Sequence, residues 1–150
     1  GDSAASTMPD GRPDRYEAGT ANTPGAAGLQ AAAVLLATHG AEIRTVERRL
    51  TRTLHEGLLE IPGLSVLGPP PAEERVPVVS VVHSSLDPDR IAYALDRSTG
   101  VAVRAGLHCS PWAHDTVGTR ETGAVRFGLG YGLTEDDVDV ALAAMRDICS

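Results

Sequence analysis

The segment Val103-Arg104-Ala105-Gly106-Leu107-His108-Cys109-Ser110-Pro111-Trp112 brings a guanidinium, an imidazole and a thiol within six residues of one another. Cys109 follows a strand-like stretch and a Gly, in a run too irregular for a core position. His108 adjoins it and Arg104 lies five residues back. The thiolate is the nucleophilic form of cysteine, and cationic neighbours favour it. Two readings stand side by side: a reactive thiol, or a small buried hydrophobe, which is a common role for free Cys. His108, Cys109 and His114 could supply three metal ligands. Adjacent residues rarely aim into one tetrahedral site, however, and the chain has no CxxC pair, so no metal is expected.

A second charged candidate is Arg126, set in the apolar run Ala124-Val125-Arg126-Phe127-Gly128. An isolated charge there is costly to bury and needs a partner. The partner is either an Asp or Glu in a salt bridge, or the carboxylate of a bound small molecule, which a guanidinium fork can hold bidentately. The remaining candidates are weaker. Cys149 falls on the apolar stripe of a C-terminal helix and reads as packing. His39 and His55 read as helix-surface residues, and His83 carries no clear signal.

All 13 residues counted as Lys+Arg are Arg. A Schiff base with a carbonyl cofactor needs a Lys amine, and a guanidinium cannot replace it. No such linkage can form within this chain. The net charge of −7 does not suit a nucleic-acid binder, which is more often basic with clustered Lys and Arg. No apolar run is long enough to span a bilayer, and residues 1–22 carry no signal-peptide pattern. Two cysteines make no disulfide framework, so a reducing cytoplasm is expected.

These residues need elements to position them. A length of 150 residues suits one domain, or a large part of one. Residues 1–22, dense in Gly, Pro and Asp, read as irregular. Thr23-Pro24 reads as an N-cap followed by a helix start, with Gly40 as the C-terminal cap. Gly25, Ala26, Ala27 and Gly28 give this helix a small-residue surface. Ile43, Val46, Leu50, Leu54 and Leu58 form the apolar stripe of a second helix over 41–60. Strands are expected at Leu64–Leu67, Val76–His83, Val101–Arg104 and 124–130, with Pro69-Pro70-Pro71 as a stiff connector. A helix opens at Asp87-Pro88 and ends near Gly100. A final helix is capped by Thr134, with Asp137 where a capping box places its acid. The fold class is therefore α/β in composition: a small, mainly antiparallel sheet with helices packed on one side. The stretch after Gly106 is expected to hold little regular structure.

Three motifs together resemble a known family. Arg104–Cys109, RAGLHC, is similar to the active-site loop of SufS-type cysteine desulfurases, which are class V aminotransferases of fold-type I. Arg15–Asn22, RYEAGTAN, resembles that family's RFEAGTPN segment. Ala124–Asp139 resembles its strand with a substrate-binding Arg and the helix next in the chain. The resemblance covers nearly the whole chain. It implies a pyridoxal-phosphate enzyme that removes sulfur from L-cysteine, leaving alanine and a persulfide on a protein thiolate. It implies further that Cys109 is that thiolate, that Arg126 holds the substrate carboxylate, and that Arg104 and His108 line the site. Thr20 and Asn22 would lie near the cofactor. The implied partners are a cofactor domain or partner chain, a second copy in a homodimer, and a sulfur-acceptor protein.

The match departs from the family pattern in places. Ala21 stands where the family usually has Pro, and Leu107 where a His is common. By the same resemblance, the chain starts after the cofactor Lys and lacks the Asp and the stacking His of the cofactor domain, with Gly1 as the tail of a Gly-rich turn. The expected division is then 1–23 as a remnant of the large cofactor domain and 24–150 as the C-terminal small domain. Alone, such a chain is expected to be inactive. A related aminotransferase or carbon–sulfur lyase fragment, and a non-catalytic interaction domain docking through 24–38, are the alternatives.

Overall fold

Val78–His83 and Ala124–Gly128 have the β-branched, alternating character of strands with one face in a core. In the computed structural model, which describes residues 5–17, 19–69 and 76–150, they are the two central strands of a sheet. Among the described residues the order is α1 (Thr23–Leu59), β1 (Leu64–Leu67), β2 (Val78–His83), α2 (Pro88–Thr99), β3 (Arg104–Gly106), α3 (Pro111–Val117), β4 (Ala124–Gly128) and α4 (Glu135–Cys149). The strands run β1-β2-β4-β3 across the sheet, and every neighbouring pair is antiparallel. The chain divides into two compact units, Gly1–Gly40 and Ala41–Ser150.

In the first unit, residues 5–17 form bends and turns, with Arg15 N–H donating to the Gly11 carbonyl at 3.0 Å and Arg15 paired to Asp10 at 3.1 Å. The start of α1 differs from the sequence reading. Asn22, not Thr23, supplies the cap: its Oδ1 accepts from Gly25 N–H at 3.0 Å. Thr23 is already helical. Gly25 matters here because a Cβ at that position would run into the Asn22 side chain.

The expected break at Gly40 is also absent, and α1 is one helix of 37 residues. Extending a formed helix fixes one residue per hydrogen bond, whereas a new helix must nucleate again. A single interior Gly costs only about 1 kcal/mol relative to Ala and does not stop a helix that good formers flank. Gly1 and Ala18 of the motifs above, and Pro70-Pro71 of the expected connector, lie outside the described residues.

In the second unit, successive residues of a strand point to opposite faces. Val79, Val81, Val125 and Phe127 share one face and are all buried. They pack with Leu50, Leu54 and Leu58 of α1, Ile91 and Leu95 of α2, and Val138, Leu142 and Met145 of α4 in one core cluster. The expected arrangement of helices against one face of a mainly antiparallel sheet is what forms. Each such side chain contributes roughly 1.5–3 kcal/mol of burial.

α2 and α4 are capped as their sequences predict. The Asp87 side chain accepts from Asp89 N–H at 2.8 Å, and Gly100 closes α2 in the left-handed conformation. Thr134 and Asp137 form the capping box of α4. Those hydrogen bonds from the Thr134 side chain and backbone hold the Asp137 carboxyl below the ordinary value for aspartate.

Several boundaries move for physical reasons. β2 begins at Val78 because Pro77 has no N–H to give the ladder; its carbonyl accepts from Leu129 N–H at 2.8 Å instead. β3 is Arg104–Gly106 rather than Val101–Arg104, since Val101 and Val103 are drawn against the core instead of into the ladder. β4 ends at Gly128. His55 is not a surface residue: it is 3% exposed, on the same inward face as Thr51, Leu54 and Leu58. No helix among the described residues is long and apolar enough to cross a membrane.

Candidate functional site

The face of the sheet opposite the core carries the charge. Arg126 lies between buried Val125 and Phe127, so its side chain leaves on the other side. Its cross-strand neighbours are Ser80 of β2 and Arg104 of β3, so one row reads Ser80, Arg126, Arg104. Two guanidinium-bearing residues thus stand directly opposite each other, an arrangement that destabilises a sheet unless an anion joins it. Among the described residues, no Asp or Glu forms an ion pair with Arg126. Among the described residues the salt-bridge reading is not realised, and Arg126 is half-buried.

Beyond β3 the chain turns tightly. Ser110 N–H donates to the Leu107 carbonyl at 2.9 Å, and the two residues inside that turn, His108 and Cys109, have φ of 55° and 58°. Left-handed backbone at a non-Gly residue costs roughly 1–2 kcal/mol. Two in succession, both bearing the side chains singled out for chemistry, mark a conformation held by its surroundings. The entry to the turn is fixed by a close approach of two backbones. Gly123 has φ of +71°, and a Cβ there would sit 2.6 Å from the Gly106 Cα, so only Gly lets the start of β4 lie against the end of β3.

The turn leaves Cys109 exposed, with the Arg104 guanidinium donating to its Sγ at 3.7 Å. His108 folds back so that its Nε2 meets the Arg104 carbonyl at 3.0 Å. A carbonyl only accepts, so Nε2 carries the hydrogen and a neutral ring leaves Nδ1 bare. The His108 pKa is lowered, first by burial and then by the nearby positive charges of Arg126, His114 and Arg104, against the opposing pull of the Arg104 carbonyl. A neutral imidazole, an exposed thiol and two guanidinium groups thus share one patch. It can hold a small anion and offer it a nucleophile.

Cys149 is placed as expected, half-buried against the core, where burial raises its thiol pKa. A cavity of about 470 Å³ lies on the core side, lined by Leu54, Val101, Phe127, Leu129, Val138 and Ala141 among others. Its one acid, Asp137, is engaged in the α4 cap, so this apolar space offers no groups for chemistry. Among the described residues, no cluster of three or more His, Cys, Asp or Glu could hold a metal ion.

Residues 3–141 match the family model described as aminotransferase class-V. The chain belongs to the class-V aminotransferase family. Among its relatives, a protein named "Probable cysteine desulfurase" from Mycolicibacterium paratuberculosis is 35% identical over 139 residues, covering 92% of this chain and 20% of that protein. A cysteine desulfurase from Synechococcus elongatus is 36% identical, covering 91% of this chain and 21% of that protein. The structure of the cysteine desulfurase of Thermococcus onnurineus aligns with a TM-score of 0.80 at 30% identity, over 91% of this chain and 34% of that one. The chain thus spans between a fifth and about a third of the length of these relatives.

Within this class-V chain, Cys109, His108, Arg104 and Arg126 come together as one group. Thr20 and Asn22 belong to the first unit, and the Asn22 Oδ1 is committed to the α1 cap. Several features of the site escaped the sequence reading. Ser80 shares the arginine row. α3 fills the stretch expected to be irregular. Buried His114 bonds Thr119 Oγ1 through Nδ1 at 2.7 Å. The helix had a readable signature in Ser110-Pro111 at its start and Gly118 at its end. The paired left-handed residues had only a faint one, since His is modestly enriched at positive φ and Cys is not.

Proposed function

We propose that this chain is part of a pyridoxal-phosphate-dependent cysteine desulfurase, in which Cys109 takes the substrate sulfur and Arg126 holds the substrate carboxylate. The observation that carries the reading is an exposed Cys109, held on a left-handed turn, with a guanidinium 3.7 Å from its sulfur and an anion-ready Arg126 in the adjoining strand. The names of the relatives support the same reading.

Pyridoxal phosphate does not fit this chain by itself, because its aldehyde needs a Lys amine and the sequence has none. The group, which when bound supplies the electron sink that weakens the substrate's C–S bond, belongs in the proposal to a cofactor domain or partner chain. Thr20 and Asn22 contribute to its surroundings. What this chain supplies is positioning. Arg126, with Ser80 beside it, binds the carboxylate and fixes the substrate's orientation. Arg104 donates to the Cys109 sulfur and stays within reach of it. His108 donates from Nε2 to the Arg104 carbonyl and so braces the strand end behind the thiol. The transfer leaves a persulfide on Cys109, which a sulfur-acceptor protein collects. The full enzyme works as a homodimer.

The test is reconstitution with the cofactor domain, reading alanine production and a persulfide on the Cys109 peptide by mass spectrometry. Cys109→Ser should abolish both, while Arg126→Gln should raise KM for cysteine by about tenfold or more. Turnover that survives Cys109→Ser would reassign the chain to an aminotransferase or carbon–sulfur lyase. A stable complex without turnover in the parent protein would make it an interaction domain.

A further inference from the structure

α3 is short, and its one inward side chain is a histidine. His114 is 6% exposed, and its Nδ1 sits 2.7 Å from the hydroxyl of Thr119, which is 8% exposed. Thr119 in turn is fixed twice by backbone: its N–H donates to the His114 carbonyl at 2.9 Å, and its own carbonyl accepts from Gly123 N–H at 2.8 Å. Gly123 is the residue whose backbone lies against Gly106 at the end of β3. The His114 ring is therefore anchored to the same point that joins β3 and β4. Its other neighbour is the His108 ring, with centroids 5.6 Å apart and planes at 47°. The His108 ring is also tied, through Nε2, to the Arg104 carbonyl at 3.0 Å.

We propose that His114 is a positioning residue for Cys109. Anchored by Thr119, its ring backs the His108 ring and holds His108 and Cys109 in the left-handed turn that presents the thiol to Arg104. The turn carries backbone strain at two successive residues, and a strained turn persists only where its surroundings over-determine it. Its own Ser110-to-Leu107 hydrogen bond is one such constraint. The His108 ring, held by the Arg104 carbonyl and next to the His114 ring, is the second.

The charged groups facing His108 are Arg104 of β3, Arg126 of β4 and His114 of α3, all of them cationic when charged. Removing His114 thus releases the ring mechanically and also takes away one positive neighbour. These two effects can be separated. Thr119→Val frees the His114 ring by removing its hydroxyl partner and leaves the imidazole in place. His114→Phe keeps a ring of similar size but removes the charge and the bond to Thr119.

The inference rests on the reading of Cys109 as the nucleophile, yet its test needs neither cofactor nor substrate. The chain of 150 residues is treated with iodoacetamide between pH 6 and 9, and labelling is read peptide by peptide, with Cys149 as the internal reference. Thr119→Val should slow Cys109 labelling by about threefold or more, and Thr119→Ser, which restores a hydroxyl, should return it to within about twofold of the parent. His114→Phe, which also removes the bond to Thr119, should slow it likewise. Cys149 labelling should stay at the parent value. Cys109 labelling within about twofold of the parent in Thr119→Val, or a loss that Thr119→Ser does not reverse, overturns the proposal. Should His114→Phe fail to fold, the Thr119 pair still decides. Absence of a persulfide in the reconstituted enzyme would count against the function, not against this positioning role.

Discussion

Cys149 ends α4 with its thiol half-buried against the core, and burial raises its pKa. Cys109 stands exposed on a two-residue left-handed turn, with an arginine donating to its sulfur. The first is placed by helical periodicity: Val138, Leu142, Met145 and Cys149 recur at spacings of three and four, and the position would suit any small apolar side chain. The second is placed against local preference, by a strand end, a pair of glycine backbones and a row of like charges. The contrast teaches that the access of one residue type is set by its surroundings: half-buried at the end of α4, exposed on the turn.

The largest expected difference is in alkylation. In the folded chain Cys109 should label on the order of a hundredfold faster than Cys149, and the ratio should collapse toward one in denaturant. Equal rates in the folded state would break the comparison.

Next comes Gly123→Ala. A Cβ 2.6 Å from Gly106, at φ of +71°, should cost about 1–3 kcal/mol in denaturant melts. It should also disturb Cys109 labelling while leaving that of Cys149 unchanged. Thr134→Ala acts at the opposite end of the comparison. It removes half of the α4 capping box, should cost about 1 kcal/mol, and should raise Cys149 labelling through a looser helix without touching Cys109. Arg104→Gln should slow Cys109 labelling at neutral pH. It should also stabilise the chain by roughly 0.2–1 kcal/mol, because a like-charge pair across β3 and β4 is relieved.

The smallest effects are on pH dependence, and the two regions differ in sign. The His108 pKa is depressed, so the unfolded chain binds its proton first as pH falls below 6.5, and stability declines on the acid side until the folded ring is protonated as well. The Cys149 pKa is raised above 9.0, so its contribution is fully present below that value and is lost as pH rises through the folded-state pKa. Chemical denaturation from pH 5 to 10 with His108→Gln and Cys149→Ala should remove the acid and the alkaline slope respectively.

The parts legible in the sequence were those governed by local, repeating signals. The stripe of Leu50, Leu54 and Leu58, the Asp87-Pro88 start, the Thr134–Asp137 box and the apolar alternation around Arg126 each state their structure within a few residues. Cys109, His108, Arg104 and Arg126 were legible as a set because the first three adjoin and the fourth breaks an apolar run. The features that were not legible depended on contacts between distant segments. The opposition of Arg104 and Arg126 is a matter of strand register, and the His114–Thr119 tie depends on how α3 turns back. His55 was misplaced because a buried stripe wide enough to include it extends one position beyond the leucines that announce it. Gly40 misled because a cap residue stops a helix only when the residues after it cannot continue the helix, and Ala41 onward can.

The opposed arginines also tie affinity to cohesion. With no Asp or Glu paired to Arg126 among the described residues, an anion that settled between β3 and β4 would supply a counter-charge to the two arginines. By linkage, whatever binds the folded row and not the unfolded chain stabilises the fold, by about 2.7 kcal/mol at a hundred times its dissociation constant. A small carboxylate would then act on this chain as a missing structural part, and its presence would be readable as heat resistance before any bond is broken.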